Sequence, residues 1–141
     1  SKLTVADFMR NELYSAFAAL KNGNDILLKR ENVKLDKISA HGGLYKTEGV
    51  GQKITAAALN TKVTVMKTAG EGGPWGMAVL ALYAISKSDE SLEAYLDNKI
   101  FASAESVSVD PDLRDVEGFD KYMERYNNAI AVERLACEKL N

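Results

Sequence analysis

The residues best suited to chemistry in this chain are glycines placed where strand-like segments hand over to helices. Lys37-Ile38-Ser39-Ala40 reads as a short strand that stops on His41-Gly42-Gly43 and restarts as a helix near Thr47. A second strand, Val63-Thr64-Val65-Met66, runs into Ala69-Gly70-Glu71-Gly72-Gly73-Pro74-Trp75-Gly76 and then into another apolar helix. Paired glycines at such a handover let backbone N–H groups approach an anion closely, and a helix N-terminus adds partial positive charge there. That chemistry suits a phosphate group. At Gly42 and Gly43 ligand contact is the favoured reading. At Gly70, Gly72 and Gly73 close packing in a sharp strand-to-helix turn is favoured instead.

The other reactive side chains offer less. His41 is the only histidine, and a lone histidine before two glycines reads as a hydrogen-bonded loop residue rather than a catalyst. No second His or Cys lies at ligand spacing, so no metal site is expected. No nucleophile elbow for a Ser-His-Asp triad can be named. Cys137, the only cysteine, falls in a helical pattern and reads as a small core residue or a bystander. A disulfide within the chain is impossible, which suits a reducing cytoplasm.

The positioning elements follow from periodicity. Val5, Phe8, Met9, Leu13, Ala16, Phe17 and Leu20 recur at helical spacing, with Thr4 as N-cap and Asp7 three residues later. Gly23 either ends that helix or sits inside a longer one. Thr47 is expected to cap a helix whose inner face is Val50, Ile54, Ala57 and Ala58, closing at Asn60. Pro74 suits the first turn of the next helix. Trp75 to Ile85 is apolar almost all round, so this helix is expected to be the most buried element, with Val79 and Leu80 deeply packed. Leu92, Tyr95 and Leu96 mark a short helix, Phe101–Val109 reads as irregular, and Asp110-Pro111-Asp112 as a turn. Val116, Phe119, Tyr122, Met123, Tyr126 and Ile130 then give a long amphipathic C-terminal helix.

A length of 141 residues bounds this to one domain with a normal core. The alternation of helices and strands argues for an α/β layer. Only two or three strands are legible and the first element is a helix, which points to a piece of a larger sheet-based protein. A net charge of −2 with no Lys/Arg block argues against nucleic acid or an anionic membrane as partner. Met77–Ile85 is too short to span a bilayer. The first apolar residues are spaced as a helix face rather than as a signal peptide.

The ordered set His41-Gly42-Gly43-Leu44-Tyr45-Lys46-Thr47, Gly51-Gln52, Val63–Met66 and Thr68–Ala78 resembles the C-terminal domain of FGGY-family carbohydrate kinases, a resemblance that extends through Asn98–Glu105 and the Glu117–Glu133 helix over nearly the whole chain. The L-ribulokinase branch is most similar, with xylulokinase close behind. The resemblance implies an actin-like ATPase fold of the ribonuclease-H type, of which residues 1–141 would be the C-terminal portion of the nucleotide-side domain. It implies transfer of the γ-phosphoryl of ATP, with Mg²⁺ in the full-length enzyme, to a pentulose such as L-ribulose or D-xylulose. By position, Gly43 would hold the nucleotide α-phosphate through its N–H, Gly42 would support the turn, and Thr47 would border the adenine pocket. Lys46, Gly72 and Gly73 would belong to the neighbouring nucleotide-side loop.

Phosphoryl transfer also needs a carboxylate for the acceptor hydroxyl and a metal on the phosphates. The family places its catalytic aspartate and sugar contacts upstream, and Asp7, Asp25 and Asp36 lack the surrounding motif, so no catalytic residue is assigned. The segment alone is expected to be inactive, to bind nucleotide weakly, and to self-associate through surfaces that lack their neighbours. The competing reading is a non-catalytic actin-like nucleotide-binding or interaction module.

Overall fold

The computed structural model describes residues 2–67, 69–86 and 89–140. Helix α1 spans Val5–Lys29 and begins as its sequence dictates. The Thr4 hydroxyl accepts from the Asp7 N–H, and the Asp7 carboxylate accepts from the Thr4 N–H in return, closing a capping box. Gly23 lies inside this single helix. Strand β1 (Ile38–Ala40) leads through a 3₁₀ turn, Gly43–Lys46, into α2 (Val50–Leu59). Asn60 closes α2 in the left-handed conformation, at φ 46°.

Strand β2 (Val63–Met66) then runs parallel to β1, with Ile38 opposite Val63 and Ala40 opposite Val65. A short turn at Ala69–Glu71 leads into α3 (Gly72–Ser86). The one-turn helix α4 (Leu92–Tyr95) is extended by a wider turn over Leu96–Ile100. Strand β3 (Ser106–Val109) pairs antiparallel with β2, Val63 facing Val109 and Met66 facing Ser106. The sheet order is β1-β2-β3. Helix α5 (Leu113–Leu140) finishes the chain, with the Asp112 carboxylate accepting from the Arg114 N–H at its start. Thr68 of the glycine-rich string lies outside the described residues.

Two core clusters meet at α2. On one side Tyr14, Phe17, Ala18, Ala58, Phe119 and Met123 join α1, α2 and α5. Tyr14 and Phe119 pack edge to face with ring centroids 5.0 Å apart. On the other side Ala40, Ala56 and Val63 join α2 to the sheet. A helix buried on two opposite sides needs small residues, and Ala56-Ala57-Ala58 supplies them. The far face of the sheet is polar, with the Thr64 and Ser108 hydroxyls hydrogen-bonded at 2.8 Å.

Four sequence expectations are corrected. Thr47 does not cap α2: it ends the 3₁₀ turn in an extended conformation, and the N-cap is Gly49 at φ 75°. Val50 is consequently exposed, and α2 buries Gly51, Gln52 and Thr55 through Leu59 rather than one stripe. The Phe101–Val109 stretch contains β3, whose alternating Ser and Val suit a strand with one apolar face. Helix α3 is peripheral rather than most buried: Val79 is its only buried residue among those described, and Leu80 is half exposed. It packs against the chain after it, through Trp75 on Phe101 and Tyr83 on Tyr95. Most of its other apolar side chains stay exposed among the described residues, so apolar composition alone has not brought burial.

Along α1 the buried residues are Tyr14, Phe17 and Ala18, while Phe8, Met9 and Leu20 of the apolar stripe stay exposed. Cys137 is a free, exposed thiol. No described helix is long and apolar enough to cross a membrane.

Candidate functional site

The parallel pairing of β1 with β2 sends both strands in one direction, so both carboxyl ends open at the same edge of the sheet. Each hands over there to a glycine loop. In sheets of this kind, the space beyond the carboxyl ends of the strands is where ligands sit.

The first loop is built around Gly42, at φ 111° and ψ −179°, a conformation that a residue with a Cβ rarely adopts. Its carbonyl accepts from the Tyr45 N–H at 3.1 Å, closing the turn. Gly43 is different. Its φ is ordinary, and a Cβ built on it meets nothing within 4 Å. As the first residue of the 3₁₀ turn, it presents an N–H that has no partner inside the turn. The fold therefore requires a glycine at 42 and leaves room for a visitor at 43.

The second loop packs onto the first. A Cβ on Gly72 would lie 2.8 Å from the His41 Cβ, and one on Gly70 would lie 3.0 Å from the Lys46 stem. The Lys46 ammonium reaches across to the Glu71 carboxylate at 2.5 Å, with both side chains largely exposed. Gly70 and Gly72 thus answer to close packing between loops, and His41 serves in that packing. Gly73 has open space around it.

Lys46 and Thr47 also enter the wall of an open groove of about 670 Å³ between the start of α2 and the β2–β3 face. Its apolar floor includes Val65, Val107 and Val109, and Lys53 and Lys67 stand on its rim. Lys67 pairs with Glu105, whereas Lys53 has no acidic partner among the described residues. Gly42, Gly43, Gly72 and Gly73 are not among the groove's walls; the chain joins them at Tyr45. No three Asp, Glu, His or Cys side chains converge to hold a metal ion among the described residues. The described residues therefore offer no such three-ligand set for Mg²⁺.

Sequence reasoning gave no structural role to two buried polar side chains behind the first loop. Gln52 is buried and its Nε2 donates to the Val63 carbonyl at 2.8 Å and the Val107 carbonyl at 2.7 Å, joining α2 to β2 and β3. Thr55 is buried, and its hydroxyl lies 2.7 Å from the Gly51 carbonyl and 3.0 Å from the Tyr45 hydroxyl. The signal available was two polar residues three apart inside an otherwise small, apolar helix.

A family model described as the FGGY family of carbohydrate kinases, C-terminal domain, matches residues 1–85. That stretch runs from α1 through both glycine loops into the last turn of α3. No curated protein and no solved structure matches the chain.

Proposed function

The chain belongs to the FGGY family of carbohydrate kinases, and we propose that it forms the nucleotide side of the ATP site in such an enzyme. The observation that carries this reading is the paired handover at one sheet edge. Two parallel strands end together, each in a glycine loop, and Gly43 is open where the fold itself requires no glycine. A backbone N–H without a side chain beside it is what an α-phosphate needs for close approach. Gly42 shapes the turn, Gly43 donates to the phosphate, and the adenosine lies toward Thr47 and the groove beyond Lys46. Lys46, at the end of the first loop, and Gly72 and Gly73 of the second border it.

The acceptor in this reading is a pentulose, L-ribulose or D-xylulose, and the whole fold is of the actin-like ATPase type. The catalytic aspartate, the sugar contacts and the ligands for Mg²⁺ come from other parts of a larger, cytoplasmic enzyme. Nothing in this segment acts as the base. Its share of the work is to hold the nucleotide in line, which is most of what protein contributes to phosphoryl transfer.

Gly43→Val in the full-length kinase tests it. Branched methyls would stand in the space the phosphate needs, and the ATP KM is expected to rise about tenfold or more, the equivalent of at least one charge-assisted hydrogen bond. The sugar KM should hardly move. An unchanged ATP KM would remove Gly43 from the phosphate site and end this reading.

A further inference from the structure

We propose that Tyr45 and Thr55 are positioning residues for the nucleotide: their partly buried hydrogen bond holds the Gly42-Gly43 turn in its binding conformation. The inference rests on the placement of the phosphate at Gly43. Neither side chain would touch the ligand's phosphate; both act through the backbone between them and it.

The turn is pivoted at both ends. Gly42 and Gly49 have positive φ, and Gly43, Leu44, Lys46 and Thr47 between them are exposed. Two side-chain ties restrain this turn among the described residues. The Lys46–Glu71 pair lies in solvent, where such a pair contributes little. The Tyr45–Thr55 bond is the tie that reaches a buried group.

Its direction follows from hydrogen counting. The single Thr55 hydroxyl proton goes to the Gly51 carbonyl at 2.7 Å, so the Tyr45 O–H must donate to Thr55 Oγ1 at 3.0 Å. Thr55 is thereby fixed before Tyr45 arrives. One turn earlier on the same face, a Cβ on Gly51 would come within 2.7 Å of the Leu44 carbonyl oxygen. Leu44 and Tyr45, the two residues after the glycine pair, thus both rest on α2, at positions 51 and 55. Helix α2 is itself fastened to β2 and β3 by Gln52. The seat is tied into the core and the turn lies at the surface, which is where a single tether has most effect.

Steady-state kinetics on the full-length kinase and hydrogen–deuterium exchange over residues 43–47 test this. Tyr45→Phe removes one hydroxyl and keeps the ring; the ATP KM is expected to rise about fivefold, the equivalent of one net hydrogen bond. The kcat and sugar KM should stay put, and exchange over the turn should quicken. Thr55→Val should behave likewise, and Thr55→Ser, which restores the hydroxyl, should bring the ATP KM back. If Gly43→Val raises the ATP KM while Tyr45→Phe does not, the tether is refuted and the phosphate site stands. If Tyr45→Phe shifts both KM values and kcat together, the bond is merely structural and the inference falls. If Gly43→Val itself changes nothing, the phosphate reading fails and takes the tether with it.

Discussion

The two helices that follow the two glycine loops have opposite surroundings. Helix α2 carries a run of three alanines and two buried polar residues, and is buried over most of its surface, with Ala56 and Ala58 at 0% exposure. Helix α3 carries Met77, Leu80, Leu82 and Ile85, and leaves them 69%, 47%, 49% and 75% exposed. Burial here follows the number of neighbours rather than the hydrophobicity of the segment. A helix with packing partners on two sides must be thin, so its sequence is small and only moderately apolar. A helix with large apolar residues on every side and one packed edge has surface to spare. Exposed apolar area of this kind is a candidate contact surface, which sedimentation can test.

The contrast predicts unequal costs for similar truncations. Phe119 is fully buried against α1 and beside α2. Phe119→Ala should lose about 3–5 kcal/mol of stability, since the aromatic cluster around it cannot collapse into the gap. Leu80→Ala on α3 should stay within about 0.5 kcal/mol, as for other surface positions. Denaturant melts of the chain compare the two directly. A Leu80→Ala cost approaching that of Phe119→Ala would mean α3 is a core element in solution, and the comparison would collapse.

A second test sharpens what α3's surface does. Together with exposed Phe8 and Met9 on α1, it should drive the isolated chain to self-associate. The double variant Met77→Lys, Ile85→Glu should shift sedimentation toward monomer while leaving the melting midpoint nearly unchanged. Unaltered association would place the contact elsewhere, at α1 or at the open edge of β1.

The same contrast explains what could be read from the sequence. Thr4 with Asp7, the strands at Ile38 and Val63, Asn60 as a helix end and the stripe Val116–Phe119–Met123 depend on local rules, and all hold in the structure. What failed depended on neighbours. The phase of α2 differs from the expected one because the cap is Gly49, in the left-handed conformation, two residues after Thr47. Periodicity cannot report that a helix is sandwiched, so Gln52 and Thr55 were given no structural role although both are buried. β3 carried a period-two signal in Ser106-Val107-Ser108-Val109, yet with three of its four residues exposed it looked like a loop. In the first loop, the turn at Gly42 was legible because a positive φ is a preference of glycine itself. The tether behind it was not, since it joins residues ten apart that meet only once α2 has folded.

The smallest effect concerns the outer edge of the buried side, where Asp25 on α1 accepts from Lys21 at 2.5 Å and from Lys29 at 2.8 Å. Partial burial pushes the Asp25 carboxyl up, but the hydrogen bonds and charges of the two lysines outweigh it and hold the group below the ordinary aspartate value. A carboxyl whose folded value is depressed contributes stability that is fully present above the unfolded value, about 3.9. That contribution is lost as the pH falls through the lower folded value. Melting midpoints of the wild type should therefore be level on this account from neutral pH down to about 5, and should drop below about 4. Asp25→Asn should cost under about 1 kcal/mol at neutral pH, as expected for two helical i,i+4 pairs. It should also flatten the acid limb only in part, because Asp7 is held low in the same direction by its Thr4 hydrogen bonds. Added salt should narrow the gap between Asp25→Asn and wild type at neutral pH, since both lysine contacts reach solvent. Identical acid limbs for the two proteins would show that the lysine pair leaves Asp25 untouched and that α1 is held by its packing on α2 and α5 alone.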